Sequence, residues 1–296
     1  MTTDTLQLAQ TNRVHALRMV AKAKASHVGT CLSMADLLAV LYGSFLRVDP
    51  KRPDWPERDR LVVSKGHGAA ILYAVLAESG FFPVADLETY SQDGSPLTGH
   101  ASHHVPGVEL STGSLGHGLP VGCGLALAVK RQKNAMAREG EAPAEPRTTR
   151  AGDIQTARQD PRPSHTYVIL SDGELDEGSN WEAILFAGHH KLDLLTALVD
   201  YNKIQSFGSV KEVLDLEPLA DKWRSFNWTV HEIDGHDHTA IAKALSAPHD
   251  GKPKVILAHT IKGKGVAYME GLLAWHYKSP DAKQLAQALA GLGCGE

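Results

Sequence analysis

Along the chain, short runs of consecutive apolar residues alternate with longer stretches of helical periodicity. Leu6, Val14, Leu17 and Val20 recur near the helical spacing, which predicts a helix over 5–24. Ser33 and Asp36 read as the cap and first turn of a second helix, continued by the apolar run to Leu46. Residues 60–63 form a short strand, and 64–68 turns it into another apolar helix over 69–78. A further helix is expected over 119–133. The clearest strand is 166–170, followed by strands at 194–199, 228–233 and 255–258, with helices at 181–190 and 240–245 between them. Strands that are apolar throughout are buried on both faces. The pattern therefore predicts an α/β fold, a doubly wound and mostly parallel sheet with helices on both faces. Ligands of such sheets bind beyond the carboxyl ends of the strands, and the loops 64–68, 171–180 and 200–208 all fall at that edge.

One segment breaks the pattern. Residues 134–165 are rich in proline and in charges of both signs, with Ile154 almost the only large aliphatic. Such a stretch cannot bury enough apolar surface to offset its ordering entropy. It reads as an inserted surface loop within a single domain spanning 1–296, or alternatively as an interaction arm. The composition is otherwise that of an ordinary globular protein, 43% hydrophobic and 22% charged with a net charge of -4, which supports neither a nucleic acid nor an anionic membrane surface as partner. No apolar run approaches the roughly 20 residues that span a bilayer. The polar N-terminus has no basic region leading into an apolar one, so no secretory signal is expected. Cys31, Cys123 and Cys294 match neither a disulfide framework nor a paired zinc spacing, and a reducing cytoplasm is the expected setting.

Two strand ends carry candidate chemistry. The first runs into Ser171-Asp172-Gly173-Glu174, where an aspartate leaves a buried strand and a glycine permits close approach of an anion to backbone N–H groups. Asp-Gly is equally a common turn. The second is Asp200-Tyr201-Asn202-Lys203-Ile204. The 30-residue spacing of Asp172 and Asn202, with one helix between, puts both at one edge of a parallel sheet. A carboxylate, an amide oxygen and a backbone carbonyl are hard oxygen ligands that suit Mg²⁺. There are also 16 histidines, several beside glycines in loops; any one of them taken alone is more often a structural side chain than a functional one.

This pairing resembles the thiamine diphosphate motif, with Ser171 where the usual first glycine stands. The stretches 172–178 and 189–193 look like transketolases. So do His27 with Ser33-Met34-Ala35, the turn around His67, Thr98-Gly99-His100, the glycine-rich stretch 106–118, and Thr260 to Gly265 followed by Trp275-His276. The likeness runs in order over about 11–280. It implies that Asp172, Asn202 and the carbonyl of Ile204 hold Mg²⁺, and that Gly173 approaches the diphosphate of thiamine diphosphate. It implies that Gly113, Ser114 and Leu115 support the cofactor near its pyrimidine, and that His67 and His276 bond the diphosphate. His27, His100 and His276 would reach substrate hydroxyls and move protons, a task that suits imidazole near neutral pH. Glu177 is either a companion of the following helix start or, by the resemblance, a carboxylate at the dimer contact near the cofactor-activating glutamate. His103, His104, His189 and His190 are expected to be structural or solvated, and Glu174 is left without a role.

The resemblance further implies a transferase of the pentose phosphate pathway that moves a two-carbon ketol unit between sugar phosphates. Its pyrimidine-binding domain would lie on a second, C-terminal subunit, since the sequence stops just after the late histidine motif, and the assembly would be α₂β₂. Other thiamine enzymes fit less well. A 2-oxo acid dehydrogenase α subunit usually carries two adjacent asparagines where Tyr201-Asn202 stands and lacks the early histidines. A 1-deoxyxylulose phosphate synthase is normally one long chain. A non-catalytic subunit derived from the same fold would have no use for the histidine set.

Overall fold

The computed structural model describes residues 4–139 and 163–294. Of the stretch read as an insertion, 140–162 lie outside the described residues. Helix α1 (Thr5–Ala23) is capped by Asp4, whose carboxylate accepts the N–H groups of Leu6 and Gln7. Two short helices follow, α2 (Val28–Ser33) and α3 (Ala35–Val40), and a π-helical turn over Leu41–Phe45. Strand β1 (Arg60–Val63) leads through a 3₁₀ turn into α4 (Ala69–Glu78). Then come α5 (Gly118–Glu139), β2 (Thr166–Ser171), α6 (Gly178–His189) and β3 (Leu195–Tyr201). Two small helices, α7 (Val210–Val213) and α8 (Leu219–Ser225), precede β4 (Thr229–Asp234), α9 (His238–Ser246), β5 (Lys254–His259) and α10 (Ala282–Gly291).

Among the described residues the strands form one sheet in the order β1-β2-β3-β5-β4, parallel at every pairing. Successive strand residues feed opposite cores. Leu61, Val63, Ile169, Leu198 and Ile256 join the cluster under α1 to α4, while Val62, Val168, Leu170, Val199 and Leu257 join the one under α5, α6 and α8. That two-sided burial is why these strands read as unbroken apolar runs.

The expected helix from Ser33 to Leu46 is not one element. Ser33 closes α2 and caps nothing; its Oγ donates to Thr30 O and, at 2.6 Å, to the Asp200 carboxylate. A buried acid outcompetes helix capping for that hydroxyl. The register sets Ser171 opposite Asp200 and Tyr201 opposite His259, so β2, β3 and β5 end at one level. Asp172 and Asn202 follow immediately, on neighbouring strands. No helix among the described residues is long and apolar enough to cross a membrane. Cys31, Cys123 and Cys294 are free, the first two buried.

Candidate active site

A cleft of about 230 Å³ opens at the carboxyl edge. It is lined by residues far apart in the chain, among them His27 and Thr30, His67, His100, Asp172 and Gly173, and Lys262 and His276. Gly113, Leu115, Ser171, Asn202, Ile204, Gln205 and Ser206 complete the lining. Ser114 and Glu177 are not part of it, and both are exposed.

The oxygen donors come from the ends of β2 and β3. Asp172 is 1% exposed, and its Oδ1 accepts the Gly173 N–H at 2.8 Å while Oδ2 accepts the Lys203 N–H. Burial, and after it the charge of Asp200, raises its pKa to about 6. The Asn202 Oδ1 accepts the Ile204 N–H at 3.2 Å, and its Nδ2 donates to Asp200 Oδ2 at 3.4 Å, which orients the amide oxygen away from Asp200. The Ile204 carbonyl accepts from the Lys262 ammonium at 2.9 Å. A cation thus already stands against this oxygen set. One carboxylate, one amide and one carbonyl are the donor chemistry of a hard divalent ion, although no cluster of three or more His, Cys, Asp or Glu among the described residues is arranged to hold a metal. Gly173 matters for space: a Cβ there would lie 3.0 Å from Gln205 Cγ.

Four histidines line the same cleft. The His27 ring centroid lies 5.1 Å from those of His67 and His276 and 6.0 Å from that of His100; His67 and His276 are 5.9 Å apart. The left-handed backbone of His27, φ 73°, turns the chain into α2, and its N–H bonds the His276 carbonyl at 2.9 Å. Burial lowers the pKa of His27 to about 4, helped by His100 and Lys262, and that of His276 to about 3, helped by Lys262. Burial holds His67 well below its ordinary value. The imidazoles of His27, His67 and His276 are therefore neutral at physiological pH, each with one donor and one acceptor nitrogen. The His27 Nδ1 is buried without a partner, an atom left for something that enters the cleft.

Residues without an assigned role tie together the loops around the cleft. Asp200 and Lys65, both fully buried, form an ion pair, and Ser33 and Thr260 donate to the same carboxylate. Burial pushes Asp200 up, but Lys65, Ser33 and Thr260 together hold it below the usual carboxylate range. Glu174 accepts from Ser64 Oγ, from the Gly116 N–H at 2.9 Å and from the Ser171 N–H at 3.4 Å, tying the glycine-rich loop to the ends of β1 and β2. Lys262 is 2% exposed, with its pKa lowered to about 8 by burial, and lies 3.0 Å from His276 Nδ1. Lys65 and Lys262 sit inside motifs visible in the sequence. The signal that marks them is a lysine within an apolar, glycine-rich turn, which needs hydrogen-bond acceptors once it is buried. His103 and His104 are exposed, as expected, with His103 Nδ1 on Ser111 Oγ.

Fold and cleft together define a parallel α/β protein with a polar, histidine-rich crevice at the carboxyl edge of its sheet. The chain belongs to the transketolase family: the transketolase, thiamine diphosphate binding domain matches residues 5–295. It is 42% identical over 276 residues to the 6-deoxy-6-sulfo-D-fructose transketolase subunit SqwG of Clostridium sp. (strain MSTE9), covering 92% of this chain and 90% of that one. It is 38% identical over 292 residues to an apulose-4-phosphate transketolase subunit of Phocaeicola vulgatus, covering 98% and 94%. Transketolase from Leishmania mexicana superposes with a TM-score of 0.86 at 31% identity over 100% of this chain, which spans 42% of that longer one. That from Campylobacter jejuni gives 0.85 and 32%, with 44% of its length spanned.

Proposed function

We propose that this chain is the N-terminal, cofactor-holding subunit of a two-chain transketolase that uses thiamine diphosphate and Mg²⁺ to move a two-carbon ketol unit from a ketose phosphate to an aldose. The observation that carries this is the convergence, in one cleft, of the oxygens of Asp172, Asn202 and Ile204 with the rings of His27, His67, His100 and His276. Support for a second chain comes from the two subunit relatives, which this chain matches over 90% and 94% of their length.

In this reading Asp172, Asn202 and the Ile204 carbonyl hold Mg²⁺. Gly173, His67 and His276 meet the diphosphate, and Lys262 adds a positive charge beside it. Gly113, Ser114 and Leu115 support the pyrimidine side. When bound, thiamine diphosphate supplies an electron sink for the carbanion left when a bond next to a carbonyl breaks. The residues here position and exchange protons. His27, His100 and His276 accept a proton from one sugar hydroxyl and return it to another oxygen, and the buried floor of the cleft limits water. Glu177, exposed beside the glycine-rich loop, faces the partner subunit, which would carry the pyrimidine domain in an α₂β₂ assembly within the cytoplasm. Sugar phosphates of the pentose phosphate pathway are the proposed substrates.

Removal of the metal anchor tests the site. Asp172→Ala in the assembled enzyme is expected to weaken Mg²⁺–thiamine diphosphate binding by about tenfold or more in calorimetry, the scale on which metal-site contacts act. Affinity equal to wild type would show that the metal is held elsewhere.

A further inference from the structure

Outside the cleft, a second cluster of titratable groups closes around Asp36, and the proposed chemistry gives it no task. The Asp36 side chain, in the first turn of α3, is 7% exposed. Arg13 of α1 donates to both carboxylate oxygens, Nη1 reaching Oδ1 at 3.1 Å. His236 Nδ1 lies 2.6 Å from Oδ2, and His238 Nε2 lies 3.1 Å from Oδ1 while its Nδ1 meets Thr5 Oγ1 at 2.8 Å. Burial pushes the carboxyl up, but His236, His238 and Arg13 together hold it far below the usual range, so Asp36 is ionised and can only accept.

That fixes the second nitrogen of His236. Its Nδ1 must carry the proton bonded to Asp36, which leaves a lone pair on Nε2, and Nε2 accepts the Ile261 N–H at 2.9 Å. Ile261 precedes Lys262, and the segment 260–263 is pinned one residue at a time. Thr260 Oγ1 donates to Asp200, the Ile261 amide to His236, the Lys262 ammonium to the Ile204 carbonyl, and the Gly263 amide to the Gly29 carbonyl at 2.9 Å. Ile261 is 37% exposed, so apolar packing covers it only in part. The turn bearing His236 lies directly on the segment: Gly235 N–H bonds the His259 carbonyl at 2.8 Å, and a Cβ on Gly235 would stand 2.4 Å from Thr260 Cγ2.

We propose that His236 is a positioning residue for Lys262. Asp36 sets the imidazole tautomer, the imidazole holds the Ile261 amide, and the Lys262 ammonium is thereby aimed at the oxygens where a metal-bound diphosphate would sit. The inference rests on the proposed function of the cleft.

Two substitutions separate this role from a merely structural one. An asparagine at 236 sets an amide nitrogen near the place of Nδ1 and keeps the bond to Asp36, but offers nothing to Ile261. A glutamine, one bond longer, sets an amide oxygen near the place of Nε2 and keeps that bond. The full chain assembled with its partner is titrated with Mg²⁺–thiamine diphosphate, and each variant is also melted without cofactor. His236→Asn is expected to weaken binding by about tenfold, as loss of an outer-shell contact does, and His236→Gln to stay within about threefold of wild type, with similar cofactor-free melting temperatures. Wild-type affinity in His236→Asn would overturn the proposal. So would equal losses in both variants that follow a fall in melting temperature. A wild-type complex that binds no Mg²⁺–thiamine diphosphate would overturn the proposed function, and this inference with it.

Discussion

Burial keeps His27 and His276 uncharged at neutral pH, while Asp172 in the same cleft carries the negative charge. In the proposed function the oxygens of the cleft hold the cation and its histidines exchange protons. If that division holds, His27→Ala and His100→Ala in the assembled enzyme lower turnover by a factor of about 10² to 10⁴ and leave Mg²⁺–thiamine diphosphate affinity close to wild type. His67→Ala weakens the cofactor instead. Steady-state kinetics beside calorimetry read the two effects separately, and unchanged turnover in both channel variants would remove the histidines from the chemistry. These residues were legible because their types and their glycine-flanked loops announce them. Lys65, Asp200 and Lys262 were not assigned. The partner of Lys65 lies 135 positions away, and only the fold brings a buried lysine to the acid it requires.

At the level of elements, β1, β2, β3 and β5 were the readiest to predict, because burial on both faces leaves a largely apolar run in each, whereas β4 is partly exposed and mixed in polarity. The stretch from Ser33 to Leu46 was not legible, since hydrogen bonding of Ser33 to Asp200 and pairing of Asp36 with Arg13 override the local capping signal. The cleft depends on loops locked together at close range. Thr112 Oγ1 donates to Val63 O at 2.7 Å, and the Ala101 N–H reaches Gly66 O at 3.0 Å. A Cβ on Gly66 would stand 2.2 Å from the Thr112 carbonyl oxygen, a backbone atom with little freedom to retreat. Gly66→Ala is therefore expected to cost about 1–3 kcal/mol of stability and to weaken the cofactor by displacing the loop of Gly113 and Leu115. Chemical denaturation and calorimetry check the two parts. A variant as stable and as tightly bound as wild type would show that this contact gives way freely.

For the whole molecule, several large apolar side chains stand exposed on the surface. Phe207 is 84% exposed, Leu185 57%, Tyr277 55% and Leu272 50%. Ile204, Gln205 and Ser206, next to Phe207, line the cleft, as does His276 next to Tyr277. In the proposed assembly the pyrimidine-bearing subunit covers this rim, with an obligate interface on the order of 2,000 Å² or more. That subunit would also bring the carboxylate that activates the cofactor. The most direct test is ketol transfer from a set of ketose phosphate donors, measured for this chain alone and for the chain co-purified with its pyrimidine-domain partner, with saturating Mg²⁺ and thiamine diphosphate in both. The account predicts no turnover from the chain alone and robust turnover from the complex. Robust turnover from the isolated chain, or none from the complex with any donor, would contradict it.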